Sequence, residues 1–136
     1  MIKRRLDPDK LFSVGDPELD RQHRELLKLG QRAVSELGER LDREAHKLLD
    51  ELVRTIEHHF AAEERKLAAV GYPDLEHHRE LHFEVREKLA ELLLDATSGK
   101  CAPVDIAQFV LDWVENHVVT ADKPFSNYLS SAKRAD

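Results

Sequence analysis

The chain has little of what several protein classes depend on. Its 136 residues include a single cysteine, Cys101, which excludes an internal disulfide and a cysteine-rich zinc site. No apolar run approaches the roughly 20 residues of a membrane helix, and no apolar segment follows the basic MIKRR start. The net charge of −6 argues against nucleic acid or an anionic membrane as a partner. These absences predict a cytoplasmic protein in which Cys101 is an incidental loop thiol.

Aromatic residues make up only 6% of the chain, with five glycines and five prolines, whereas charged residues make up 35%. This balance is typical of a helical protein with long solvated faces. Between the glycines and prolines, apolar residues recur at spacings of three and four. The sequence therefore predicts an all-α fold, an antiparallel up-down-up-down four-helix bundle in a single domain. Residues 1–14 are expected to form an N-terminal arm and residues 124–136 a C-terminal tail.

The helix boundaries follow from capping residues and helix breakers. The first helix is expected from Asp16 to about Gly38, and the second from Asp42 to the VGYPD stretch. The third is expected from Asp74 to TSGKCAP. The fourth begins near Pro103 or Val104 and ends by position 123, because the proline that follows disfavours helix in the residue before it.

Helical phase separates histidines that are adjacent in the sequence. Residues 58–64 read HHFAAEE. The second histidine of this segment continues an apolar row, and the first acid lies four residues further along the same face. His58 and Glu64 are therefore expected to point outward or to the flank, and Ala62 is expected on the same solvated side as His58. The EHHRELH segment divides in the same way, with His77 outward. The side chains predicted to face the core are His23, His59, Glu63, His78, His82 and His117.

Five inward histidines and a carboxylate predict a metal site in the bundle core. Burying these groups without partners would cost several kcal/mol each, whereas imidazole and carboxylate are good ligands for first-row transition metals. The set exceeds the four ligands that zinc usually takes, and it suits two ions that share bridging carboxylates. Asp122 is a candidate seventh ligand. It follows His117 by five residues, so it reaches the site only through a π-bulge or a loosened last turn, and spacing leaves its role open.

Four segments, ELDRQHRELL, HFAAEERKL, GYPDLEHHRELH and WVENHVVTAD, resemble in order and spacing the motifs of the hemerythrin family, in particular its stand-alone bacterial members. The match covers residues 14–123. It implies two iron ions joined by an oxo or hydroxo bridge. The implied ligands of one iron are His78, His82 and His117, those of the other are His23 and His59, and the implied bridges are Glu63 and Asp122.

The resemblance also implies an O2 position on the iron with two histidines. Val114 would line this position opposite Phe60, where family members more often have leucine. The implied function is reversible O2 binding for storage, transport or buffering rather than catalysis. O2 binding leaves the formal charge of such a centre unchanged, which a buried site favours. The paired Glu-x-x-His motifs of ferritin-like di-iron enzymes do not occur in the sequence.

Two alternatives remain open at this stage. One is a di-iron enzyme or detoxifier that acts on peroxide or nitric oxide, with weak oxidase or peroxidase activity. The other is a sensor, in which O2 or iron occupancy changes contacts with a partner protein. The sequence contains no feature that identifies such a partner.

Overall fold

The computed structural model describes residues 14–117 and Leu129, and this part of the chain contains four α-helices and no strand. We label the helices α1 (Pro17–Glu36), α2 (Arg43–Ala69), α3 (Leu75–Thr97) and α4 (Pro103–His117). Each helix contacts the next along the chain, and α1 also contacts α4, which closes the bundle. The predicted all-α four-helix bundle is confirmed. No helix in the described residues is long and apolar enough to cross a membrane.

Two of the three predicted N-caps form as expected. The carboxylate of Asp16 accepts a hydrogen bond from the backbone N–H of Leu19 at 3.0 Å, and that of Asp42 accepts one from Ala45 at 2.9 Å. Asp74 occupies the corresponding position before α3, but its side chain makes no capping hydrogen bond. The start of α3 therefore lacks the side-chain cap that the sequence predicts.

Buried side chains form three layers along the bundle axis. The larger apolar cluster extends from Phe60 and Val114 to the end of the bundle at Leu37 and Ala45. A smaller cluster closes the other end and consists of Val14, Leu19, Ala62, Leu67 and Leu129. The six buried histidine and glutamate side chains lie between the two clusters. We call them the polar layer: His23, His59, Glu63, His78, His82 and His117.

The smaller cluster corrects one prediction from helical phase. Ala62 was expected on the solvated side of its helix together with His58, yet it is only 1% exposed. Val14 and Leu129, which lie outside the four helices, belong to the cluster that covers this face. Periodicity describes one helix at a time, so it does not register segments that pack across a helix from elsewhere in the chain.

Candidate metal site

The helix-face predictions for the polar layer are confirmed. All six of its side chains are at most 6% exposed, whereas the neighbouring His58 and His77 are exposed. The i, i+4 spacing in α2 and in α3 places two inward side chains one above the other on each helix. Asp122, the remaining predicted ligand, lies outside the described residues.

Glu63 lies at the centre of the polar layer, and its two carboxylate oxygens face different histidines. Oε1 contacts Nε2 of His78 and lies 3.0 Å from Nε2 of His82. Oε2 lies 3.1 Å from Nε2 of His59 and 3.6 Å from Nε2 of His23. One carboxylate therefore separates a pair of histidines on α3 from a pair supplied by α1 and α2.

The geometry provides two overlapping groups of side chains that could each hold a metal ion. Within each group, every residue offers one ligand atom within 4.8 Å of the others. The ring centre of His117 lies 5.1 Å from that of His78 and 5.3 Å from that of His82, which brings α4 to the α3 side. The first group is Glu63, His78, His82 and His117, and the second is His23, His59 and Glu63.

Several contacts in the polar layer fit a cation better than they fit hydrogen bonding alone. The Nε2 atoms of His23 and His59 face each other at 3.1 Å. Glu63 Oε2 is buried and makes no hydrogen bond among the described residues. Burial alone would raise the pKa of Glu63, but electrostatic attraction from His59 and the other imidazoles that face the carboxylate outweighs burial and holds this pKa well below its usual range. Converging nitrogens around a carboxylate are the donor set of a transition metal.

Two further polar side chains contact the outer nitrogens of His59 and His82. Neither was identified from the sequence as part of the site. Gln22 Oε1 lies 2.8 Å from Nδ1 of His59, and Glu64 Oε2 lies 2.7 Å from Nδ1 of His82. Gln22 is 3% exposed, and the side chain of Glu64 is 20% exposed. The available signal was their position beside the inward residues, because a polar residue next to a ligand row can reach the outer nitrogen of a ligand.

Apolar and aromatic side chains surround the polar layer on the α4 side. Phe60 is fully buried and stacks on the ring of His82 at 3.9 Å with an interplanar angle of 8°. Trp113 stacks on His117 at 4.3 Å and meets Phe60 edge-on at 5.2 Å. Val114 is 1% exposed and belongs to the same apolar cluster as Phe60. The role of Phe60 and Val114 in an oxygen pocket stays a prediction.

Comparison with known proteins identifies the family. The family described as the hemerythrin HHE cation binding domain matches residues 14–127. The chain belongs to the hemerythrin family. The resemblance inferred from the four sequence motifs is therefore confirmed, and a cation-binding site is what the family description gives for this domain.

Individual hemerythrin relatives agree with this assignment. The chain is 26% identical over 123 residues to a bacteriohemerythrin of Campylobacter jejuni. The match covers 88% of this chain and 92% of the relative. It is 31% identical over 121 residues to a hemerythrin-like protein of Naegleria gruberi, and this match covers 89% of the chain and 91% of the relative. It is 28% identical over 123 residues to a myohemerythrin of Theromyzon tessulatum, and this match covers 89% of the chain and 91% of the relative.

Solved hemerythrin structures share the fold. A crystal structure of wild-type hemerythrin is similar with a TM-score of 0.80 at 26% identity, and the match covers 89% of this chain and 94% of the other. A crystal structure of a leucine-to-alanine variant of hemerythrin gives a TM-score of 0.82 at 25% identity, and the match covers 96% of this chain and 99% of the other. The bundle and its buried histidine and glutamate side chains are thus those of a hemerythrin-type metal domain.

Proposed function

We propose that the polar layer holds two iron ions and binds O2 reversibly, for oxygen storage, transport or buffering in the cytoplasm. The observation that carries this proposal is the position of Glu63. Its Oε1 faces His78 and His82, while its Oε2 faces His59 and His23. A carboxylate with separate sets of nitrogens on its two oxygens suits a bridge between two ions better than it suits one ion.

The proposed ligand sets of the two ions are unequal. His78, His82 and His117 would bind one iron, and His23 and His59 would bind the other, with Glu63 bridging them. Asp122 is proposed as the second bridge. The ion with two histidines has one protein nitrogen fewer, and this difference leaves room for a small ligand.

When bound, a pair of ferrous ions supplies an open coordination position and the electrons needed to hold O2. The described residues supply the surroundings. The ring of Phe60 lies between the two groups of histidines, 3.9 Å from the ring of His82 and 6.3 Å from that of His59, and Val114 lies in the apolar cluster beside the polar layer. We propose that these two side chains line the oxygen position and keep water from it, because apolar walls offer water no hydrogen-bond partners.

The decisive experiment is a visible spectrum combined with a metal count. Protein purified from iron-replete cells is expected to contain about two irons per chain, given six buried ligands and the proposed ligand Asp122. The reduced protein should gain a visible absorption in air and lose it when O2 is removed, over repeated cycles. One metal per chain, or retention of zinc after iron reconstitution, would overturn the di-iron proposal.

The same spectra distinguish reversible binding from an enzyme, and turnover and partner-binding assays distinguish it from the remaining alternatives. An enzyme or detoxifier would lose its oxygen-dependent absorption after one cycle and would consume peroxide or nitric oxide over many turnovers. A sensor would cycle as a carrier does, but it would also bind a partner protein in only one of its states. Repeated cycling without turnover and without a state-dependent partner is the result that we expect.

A further inference from the structure

Two histidines of the polar layer are held by partners of different charge. His82 Nδ1 lies 2.7 Å from the carboxylate of Glu64, and His59 Nδ1 lies 2.8 Å from the amide oxygen of Gln22. Carboxylate and amide oxygens only accept hydrogen bonds, so Nδ1 donates in both rings. In each neutral ring the lone pair then lies on Nε2, the nitrogen that would bind a metal ion beside Glu63. Both partners fix the same tautomer, but one is an anion and the other is neutral.

The neighbours of Gln22 explain the orientation of its amide. Its Nε2 lies 3.4 Å from Oε1 of Glu18, and Nζ of Lys66 lies 3.1 Å from Oε2 of Glu18. Because the Glu18 carboxylate cannot donate, the amide nitrogen faces it and the amide oxygen faces His59. A glutamate at position 22 would put a second negative charge beside Glu18, so the neutral side chain suits this half of the site.

The neighbours of Glu64 hold an anion in place. Nε of Arg79 lies 3.5 Å from one carboxylate oxygen, and a guanidinium nitrogen of Arg86 lies 3.9 Å from the other. Arg86 also binds Glu57 at 2.9 Å and lies over the ring of Phe60 at 5.1 Å. Since Phe60 stacks on His82, this one arginine supports both the edge and the face of the imidazole ring.

We propose that Glu64 and Gln22 are positioning residues that make His82 a stronger metal ligand than His59. A carboxylate on the outer nitrogen raises the basicity of an imidazole ligand more than a neutral amide does. His82 would thereby bind its metal ion more strongly and favour the more highly charged ion, while His59 would remain the weaker donor. This inference rests on the proposed function in taking the polar layer to hold two metal ions.

The test compares Glu64→Gln with Glu57→Gln in the full chain. Both substitutions remove one negative charge near Arg86, but only Glu64 contacts a histidine of the polar layer. Cobalt(II) is titrated into the metal-free variants and followed by its visible absorption. We expect Glu64→Gln to weaken the tighter cobalt site by about 10-fold to 100-fold, the usual effect of losing such a partner. Glu57→Gln is expected to leave this site within about twofold of the parent.

A redox titration of the iron-loaded protein gives a second readout. A tenfold loss of preference for the ferric ion corresponds to a rise in midpoint potential of about 59 mV for one electron, and we expect a rise of this order for Glu64→Gln. The double variant Gln22→Glu with Glu18→Gln moves the negative charge to the other histidine at constant net charge. It is expected to lower the potential. Structural damage would not produce shifts of opposite sign in the two variants.

The outcomes separate this inference from the proposed function. If the parent binds two cobalt or iron ions but Glu64→Gln behaves like Glu57→Gln in both titrations, the inference is overturned while the di-iron proposal stands. If the parent does not cycle with O2, the proposed function fails, yet a selective loss at the tighter cobalt site would still support the roles of Glu64 and Gln22.

Discussion

The polar layer and the larger apolar cluster are built on the same four helices, but different interactions hold them together. The apolar cluster buries Leu52 and Ile56 at 1% exposure or less and needs no partner other than itself. The polar layer buries Glu63 completely among imidazoles, at a depth where uncompensated polar groups are costly. We infer that the apolar cluster specifies the bundle, whereas the polar layer reaches its full stability only with metal bound.

The largest expected effect comes from removing a ligand of the polar layer. His59→Ala and His78→Ala should each lose iron and the oxygen-dependent absorption, because each removes a nitrogen facing Glu63. Since metal binding also links the helices, both variants should unfold at a lower temperature than the parent. Metal content, visible spectra and thermal unfolding are measured on the same preparations.

The matched controls are the histidines immediately before these two in the sequence. His58→Ala and His77→Ala remove exposed side chains of the same type from the same turns of helix. They should keep the iron, the absorption and the unfolding temperature of the parent. Equal damage from both pairs would contradict the assignment of helix faces and would remove the distinction between an inward and an outward histidine.

A smaller effect, confined to stability, is expected from the apolar cluster. Leu52→Ala should lower the free energy of unfolding by about 2–5 kcal/mol, the usual cost of such a truncation in a packed core, and should leave the iron content unchanged. Leu94→Ala is the control, because Leu94 is 70% exposed. Denaturant unfolding of the iron-loaded proteins measures both. If Leu52→Ala also lost iron, the two regions would not be separable.

Much of this contrast was predictable because it follows from helical period. The 3.6-residue repeat sorts His59 from His58 without any knowledge of the other helices. It does not reveal what reaches a residue from another helix. Glu64 was expected outward or to the flank, and its contact with His82 depends on where α3 packs against α2. For the same reason Ala62 was misplaced, since the residues that cover it lie outside its helix.

The metal site shows a similar division between what spacing predicts and what packing decides. Spacing predicted that five histidines and Glu63 face one core, and all six side chains are buried there. Spacing could not predict that the two oxygens of Glu63 face different histidines, because this depends on the relative positions of three helices. Asp122 lies outside the described residues, so its part in the site remains a proposal.

The smallest expected effect concerns the boundary between the two regions, where Val114 adjoins the polar layer. Replacing it with leucine adds one methylene, a change worth about 1 kcal/mol at a buried position, or about fivefold in a rate. A larger side chain leaves less space for water near the proposed oxygen position. Val114→Leu should therefore slow the loss of the oxygenated absorption severalfold, with no change in iron content.

Val110→Leu is the matched control for this prediction. Val110 lies one turn earlier on the same face of α4 and is equally buried at 1% exposure, but it is further from His117. The same added methylene there should alter packing without changing the decay, which is timed for all three proteins in identical air-equilibrated buffer. If Val114→Leu decays as fast as the parent, or if both leucine variants slow it equally, Val114 belongs functionally to the apolar cluster. The oxygen position would then be bounded by other side chains.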